Sequence, residues 1–321
     1  MNKQNFFYTI KINHSNFPAL KNFELGICSE KKVFIKNIEN ILDKNISNKK
    51  DYQIHQYSDF EEILENSDGI YIDIKDAKTD IKKFEYTKRC INKHIAVILS
   101  TPFFHSVNKA KEIFLLAKRK RVFCTEVLAG RFLPQFEKII ETAKNGPESA
   151  ELGDILQIAA GFSCTSVSES KSNSNLTYNS SSLYSLGIYP VSLIYKFLGI
   201  PNKIASAQEF NSHNFDYNTN AILKYYRNSQ NLQNELLASF YCALKNSNDL
   251  LFDKFHYNIS VLGTKNCLEF SDSFAPLDSF FQELDQIVNL IKKDQIINSH
   301  WTPEDTINVL NILQKIKDNS I

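Results

Sequence analysis

The sequence predicts an α/β chain in two parts. A doubly wound parallel sheet occupies residues 1–125, and an α+β domain with a largely antiparallel open sheet occupies residues 126–321. Three observations carry this. From residue 23 to about 126, short apolar runs alternate with segments of helical spacing, the rhythm of parallel strands joined by crossover helices. After residue 127 strand-like runs follow one another without helices between, which suits antiparallel pairing. The length of 321 residues, 43% of them hydrophobic, divides into about two domains at ~150 residues each.

In the first part, Phe6–Ile12 reads as an opening strand and Phe23–Cys28 as the next. Lys32–Leu42 carries apolar residues at helical spacing, and Tyr57–Leu64 looks like a short capped helix. Gly69–Ile74 is a strand, about Thr79–Asn92 a helix and Ile95–Leu99 a strand. Ser106 caps a helix through Ala110, Ile113, Leu116 and Ala117, and Val122–Cys124 is the last strand. In the second part, Ile155–Phe162 is a strand and Ser163–Ser182, rich in Ser and Asn, is a loop. A helix follows with Leu183, Leu186, Leu193, Ile194 and Phe197 on one side, stopped by Gly199. Strands are expected around Ile204–Phe210, Ala221–Tyr226, Glu235–Cys242, Phe255–Gly263 and Cys267–Phe270. Helices Phe280–Lys293 and Thr302–Lys317 close the chain, the second with Thr302 as cap and Pro303 at the first helical position.

Thirty-seven basic residues face 36 acidic ones, and this balance argues against a nucleic-acid partner. No apolar run approaches ~18 residues, so a membrane partner is not expected. The first residues show no secretory signal, and the six cysteines contain no Cys-x-x-Cys pair. Reduced thiols in a cytoplasmic protein are expected, with no metal site. Ligands of open parallel sheets bind outside the carboxyl ends of the strands, so the residues after Cys28, Ile72, Leu99 and Cys124 are the ones to inspect.

Several stretches in order resemble one family. Tyr57–Leu64, Gly69–Ile72 and Thr101-Pro102 through Arg121-Val122-Phe123 follow the arrangement of the glucose–fructose oxidoreductase / inositol dehydrogenase (Gfo/Idh/MocA) family. The run from Glu126 through Arg131-Phe132-Leu133-Pro134 is similar to its Glu-x-x-x-x-Arg-Phe-x-Pro segment, and Leu152-Gly153-Asp154 to the entry of its second domain. Leu186-Gly187-Ile188-Tyr189-Pro190 resembles the Asp-Leu-Gly-x-Tyr-Pro motif of the dihydrodiol dehydrogenase branch, and Gly263-Thr264 a late strand turn. The resemblance covers about residues 23–318. It implies a Rossmann-like first domain that holds NAD or NADP, a sugar-like substrate against the antiparallel sheet, hydride transfer between them, and a homodimer. It makes Tyr189 the proton-handling residue and places Glu126 and Arg131 near the nicotinamide.

The chain departs from the family at defined positions. The Gly-x-Gly-x-x-Gly fingerprint belongs between the first strand and first helix, yet the first glycine of the chain is Gly26. The segment between Ile12 and Phe23 is shorter than the dozen or so residues a parallel crossover needs, so a shortened or absent phosphate turn is expected. Glu-Lys-Pro becomes Ser100-Thr101-Pro102, Thr-Pro-Asn becomes Ile74-Lys75-Asp76, and the Asp of the tyrosine motif becomes Ser185. Carried over position by position, the catalytic set is Tyr189, Thr101 and Ser185. The cofactor set is Ser29, Ile74, Asp76, Ser100, Pro102, Glu126 and Arg131. Lys75 and His105 are candidates to replace the lost lysine, and Ser29-Glu30-Lys31-Lys32 suits either NAD or NADP. Two functions are expected: a nicotinamide-dependent oxidoreductase for a sugar, sugar nucleotide or diol, or a catalytically silent relative that binds a ligand or a partner.

Overall fold

A computed structural model describes residues 6–13, 15–29, 32–46, 48–74, 80–128, 141, 152–165, 181–211, 216–229, 232–245, 255–274 and 276–320. Contacts divide the chain into two compact units: Met1–Ala129 with Leu277–Ile307, and Gly130–Pro276 with Asn308–Ile321. The first unit thus takes in residues 277–307, which the sequence reading assigns to the second domain. Local pattern names these helices but carries no information on which sheet they cover.

In the first unit the strands are β1 (Phe6–Ile12), β2 (Glu24–Ser29), β3 (Tyr52–Tyr57), β4 (Gly69–Asp73), β5 (Ala96–Ser100) and β6 (Cys124–Val127). They form one sheet in the order β3-β1-β2-β4-β5-β6. Its helices are α1 (Lys32–Asn45), α2 (Phe60–Glu65), α3 (Ile81–Asn92) and α4 (Val107–Lys120). Strands β2, β4, β5 and β6 pair in parallel, as expected of a doubly wound sheet. The exception is β1, antiparallel to both β2 and β3. The short link before β2 explains it, since it can reverse the chain but cannot cross over the sheet. Phe17 and Leu20 bury their side chains within that link. The backbone N–H groups of Ala19 and Leu20 donate to the Asp285 carboxylate at 2.8 and 3.0 Å.

The first strand of the parallel set is β2 and not Phe6–Ile12, and α1 is the helix that follows it. Strand β3, which pairs only with β1, is absent from the sequence reading. Its Tyr-Gln-Ile-His-Gln-Tyr run has no buried residue, and an edge strand of that kind shows no apolar pattern. Helix α2 starts at Phe60, after Asp59 accepts the N–H groups of Glu61 and Glu62.

The second unit holds β7 (Ile155–Thr165), β8 (Lys203–Phe210), β9 (Asp216–Ser229), β10 (Leu232–Lys245), β11 (Phe255–Gly263) and β12 (Cys267–Phe274). Their order is β12-β11-β7-β10-β9-β8, antiparallel except for β7 with β10. Residues 163–165, read as the start of a loop, complete β7; 166–180 lie outside the described residues. Gly153 and Gly263 meet where the chain enters this sheet. A Cβ on Gly263 would stand 2.1 Å from the Leu152 carbonyl oxygen, and Gly153 has φ +70. A π-helical turn at Leu183–Gly187 runs into α5 (Ile188–Leu198), which stops at Gly199 with φ 73.

The chain closes with α6 (Pro276–Lys292) and α7 (Pro303–Asp318), the latter divided between the units after Ile307. Thr302 Oγ1 accepts the Asp305 N–H at 3.2 Å, and Asp305 accepts the Thr302 N–H at 2.8 Å, a reciprocal cap. All six cysteines are free. Burial raises the thiols of Cys90, Cys124 and Cys242, the last to about 12, which leaves these three unreactive as nucleophiles. Among the described residues no helix is long and apolar enough to cross a membrane, and no group of acids, histidines and cysteines is arranged to hold a metal.

Candidate functional site

In the first unit the chain leaves β2 toward β3 on one side of the sheet and leaves β4 toward β5 on the other. The connections therefore part at the carboxyl ends of β2 and β4, the topological switch point at which open α/β sheets take their ligands. Ser29 and Asp73 are register partners there, and Ser100 follows Leu99, the partner of Ile72, on the next strand. Ser29, Asp73 and Ser100 are at most 3% exposed. Parallel central strands are normally apolar throughout, so three buried polar side chains at their ends call for a reason.

The first turn of α1 contains no acidic residue. Its N–H groups and the positive end of its dipole suit an anion such as a pyrophosphate, even without the glycines of the fingerprint. Ile74 is 1% exposed and offers no polar side-chain atom, so the Thr-Pro-Asn loop is not reproduced at that position. Asp76 and Lys75 lie outside the described residues, as does Arg131.

The turn after β5 is braced from behind. Lys83 on α3 is 3% exposed, and its ammonium donates to the carbonyls of Ser100 and Pro102, each at 2.6 Å. Thr101, at the family's lysine position, is half-buried and its Oγ1 donates to the Val127 carbonyl. The Thr101–Pro102 peptide is cis. Thr101 carries no charge for the site, whereas Lys83 brings an ammonium to this turn. Glu126 is buried and accepts the Phe103 N–H at 2.7 Å, which ties β6 to the same turn.

His105 closes the turn against Asp80 at the start of α3. Its backbone N–H donates to Asp80 Oδ2 at 2.8 Å, and its ring Nδ1 lies 2.9 Å from Oδ1. Burial pushes the Asp80 carboxyl upward. The hydrogen bond and charge of His105, helped by Lys83, outweigh this and hold it below the usual carboxylate range. His105 was visible in the sequence because it follows a strand end. Asp80 and Lys83 were not, since a second lysine on a helix carries no pattern that marks it as buried.

In the second unit Tyr189 is 8% exposed. Its ring stacks on Phe162 with centroids 5.7 Å apart and meets Phe255 edge-on at 5.4 Å. Ser185 is half-buried one helical turn earlier, and its N–H donates to the Ser181 carbonyl. The start of this helical segment is anchored by Asp216. Its Oδ2 accepts Ser182 Oγ at 2.7 Å, the Leu183 N–H at 2.8 Å and Thr219 Oγ1 at 3.2 Å.

The first unit is a doubly wound domain with a switch point, and the second carries a largely antiparallel open sheet, a two-part α/β architecture. Residues 21–127 match the Gfo/Idh/MocA profile, described as an oxidoreductase family with an NAD-binding Rossmann fold. Over those residues the chain is similar to the NAD-binding domain of that family. One relative, the uncharacterized oxidoreductase YhhX of Escherichia coli (strain K12), is 30% identical over 153 residues. That match spans 47% of this chain and 42% of the relative. GenD2 from gentamicin A biosynthesis, solved in complex with NAD, superposes with TM-score 0.65 at 13% identity, covering 82% of this chain and 80% of its own. Scyllo-inositol dehydrogenase from Lactobacillus casei, with bound NAD(H) and scyllo-inositol, gives TM-score 0.60 at 13% identity over 82% and 81% of the two chains. The two-domain fold is therefore that of these dehydrogenases.

Proposed function

We propose that the chain is an NAD(P)-dependent oxidoreductase that interconverts a hydroxyl and a carbonyl on a sugar-like or polyol substrate. The observation that carries this is the switch point between β2 and β4, set in a domain that matches an NAD-binding family and followed by a helix whose first turn holds no acidic residue. The bound nicotinamide cofactor would supply the hydride chemistry. Ser29 and the first turn of α1 would hold its pyrophosphate, with Ser100 and Pro102 lining the neighbouring strand end. Tyr189 would take and return the hydroxyl proton, and Ser185, Thr101, Glu126 and Arg131 would stand at the positions the family uses around the reacting groups. The six free thiols suit a reducing compartment such as the cytoplasm. None of the comparisons supports the catalytically silent alternative.

Titration with NADH and NADPH, read by reduced-cofactor fluorescence and by thermal unfolding, tests the proposal. Ligand at 100 times its Kd stabilises the fold by about 2.7 kcal/mol, so binding shows as a higher melting temperature. Failure of both cofactors to bind at millimolar concentration would sink it.

The homodimer is part of the same reading. Ile222, Tyr226, Leu237 and Tyr241 are exposed on neighbouring β9 and β10, with Leu262 on β11. Exposed apolar side chains gathered on one face of a sheet, here around the Lys224–Glu235 ion pair, suit an interface, and a second copy of the chain is the proposed occupant. Sedimentation should give a dimer at micromolar concentration, converted to monomer by Leu237→Glu; a wild-type monomer would refute it.

A further inference from the structure

Charge is unevenly placed in the first unit. Residues 81–121, running from α3 through β5 to α4, hold 11 of the 37 basic residues and two of the 36 acidic ones, Glu85 and Glu112. The rest of the chain is acidic, with 26 bases against 34 acids, so the balance of the whole hides a basic surface. Helices α3 and α4 pack against each other and run the same way, since each leads from one parallel strand to the next. Both end at the amino ends of the strands that follow, β5 and β6. Packed helices lie about 8–10 Å apart, so the two ends form one surface. Lys93 caps α3 there, and Lys118, Arg119, Lys120 and Arg121 close α4, with Lys111 two turns earlier on the same face. These six are exposed, and none forms an ion pair among the described residues. Lys88 is paired with Glu112 at 3.2 Å and Arg89 with Glu61.

Helix stability does not account for this charge. Cations at a helix C-terminus complement its dipole, but the effect is confined to the last turn and leaves Lys82, Lys109 and Lys111 unexplained. Arg121 has φ 55, a left-handed position that glycine takes at lower cost. The fourth consecutive base is thus kept against local preference.

We propose that this surface binds the phosphate backbone of double-stranded nucleic acid without reading base sequence. Eight of the 11 bases are lysine, a residue depleted in protein–protein interfaces, and neither Lys93 nor the run 118–121 brings the aromatic side chains such interfaces favour. A helix that lies on a membrane presents an apolar face, whereas Ala110, Ile113, Phe114 and Ala117 of α4 are buried in the fold. Phosphates need only positive charge, and each one neutralised releases counterions from the duplex. Both helices are packed along the sheet, so neither is free to enter a major groove, which limits contact to the backbone. The switch-point crevice lies at the carboxyl ends of the strands, away from this surface, and neither assignment rests on the other.

The test titrates a fluorescently labelled DNA duplex with the full chain, follows anisotropy and repeats the titration across salt concentrations. Wild type should bind with micromolar affinity at about 50 mM salt, and log K should fall against log salt with a slope of about −4 to −5, that of some five phosphates. Lys118→Gln/Arg119→Gln/Arg121→Gly should bind at least roughly 10-fold more weakly and lose about 3 from the slope. Arg121→Gly alone should melt at or above the wild-type temperature and lose about 1 from the slope. Lys203→Gln/Lys265→Gln, at exposed positions of the second unit, should change neither affinity nor slope. Absence of duplex binding by wild type at about 50 mM salt would overturn the proposal. So would equal weakening by the second-unit variant, which would mean attraction spread over the whole chain. Binding to phosphatidylserine vesicles without binding to duplex would overturn it too, and would assign the surface to a membrane.

Discussion

Lys83→Met lowers the stability of the first unit by about 2–5 kcal/mol, because a buried and a half-buried carbonyl lose their donor at once. Met keeps most of the length and volume of the lysine stem, so packing along α3 is largely preserved. What disappears is the ammonium that donates at 2.6 Å to the carbonyls of Ser100 and Pro102. Each bare carbonyl is worth about 1–3 kcal/mol when no water can replace the donor. The turn also carries Thr101, and Phe103 bonds to Glu126 within it, so under the proposed function the loss should also appear as a weaker NADH affinity. Urea unfolding followed by circular dichroism measures the first effect and fluorescence titration the second. A loss below about 0.5 kcal/mol, the size of an ordinary surface substitution, would mean that the ammonium braces nothing.

Asp216→Ala costs about 2–5 kcal/mol and loosens the start of the helical segment that carries Tyr189. One carboxylate oxygen serves Ser182, Leu183 and Thr219 together, all of them buried. Alanine leaves the Leu183 N–H and the two hydroxyls to find other partners in an apolar setting, and the penalty is that of several unsatisfied groups. Asp216→Asn retains an acceptor and should lose less than half as much. Cys242 gives an independent readout, since its thiol lies 3.8 Å from Ser182 Oγ and burial raises it to about 12. In Asp216→Ala it should react with a thiol reagent many times faster than in wild type. Equal reactivity together with equal stability would show that the carboxylate is dispensable.

The sequence displays the strands of the second unit well because each alternates buried and exposed positions. Phe255–Gly263 does so over its whole length, and the structure returns those bounds. The capping pair Thr302 and Asp305 is likewise a local signal, and the hydrogen bonds are the ones its residue types imply. The tyrosine motif and the late Gly-Thr turn were legible for the same reason. Gly263 is required by contact with the Leu152 carbonyl, and a glycine is conspicuous wherever it occurs.

Less of the candidate site was legible. Thr101 and Ser100 stood out as departures from a family pattern, but Lys83, which braces their turn from another helix, did not. Asp73 was in plain view at the end of Gly-Ile-Tyr-Ile-Asp, yet that its buried Oδ1 has no hydrogen-bond partner among the described residues is a property of its neighbours and not of its own position.

Local pattern by itself determined the type and order of most elements, because helical and strand periodicity, caps and turns act over a few residues. It also determined that Phe6–Ile12 and Glu24–Ser29 lack the chain length for a parallel crossover. Only the tertiary structure decided that β1 would pair antiparallel to both of its neighbours, which makes β2 the first strand of the parallel set. Strand pairing joins residues far apart along the chain, and its outcome depends on which faces can be buried together, a quantity no window of sequence contains. The same pairing put Asp73 beside Ser29 at the point where the chain turns both ways.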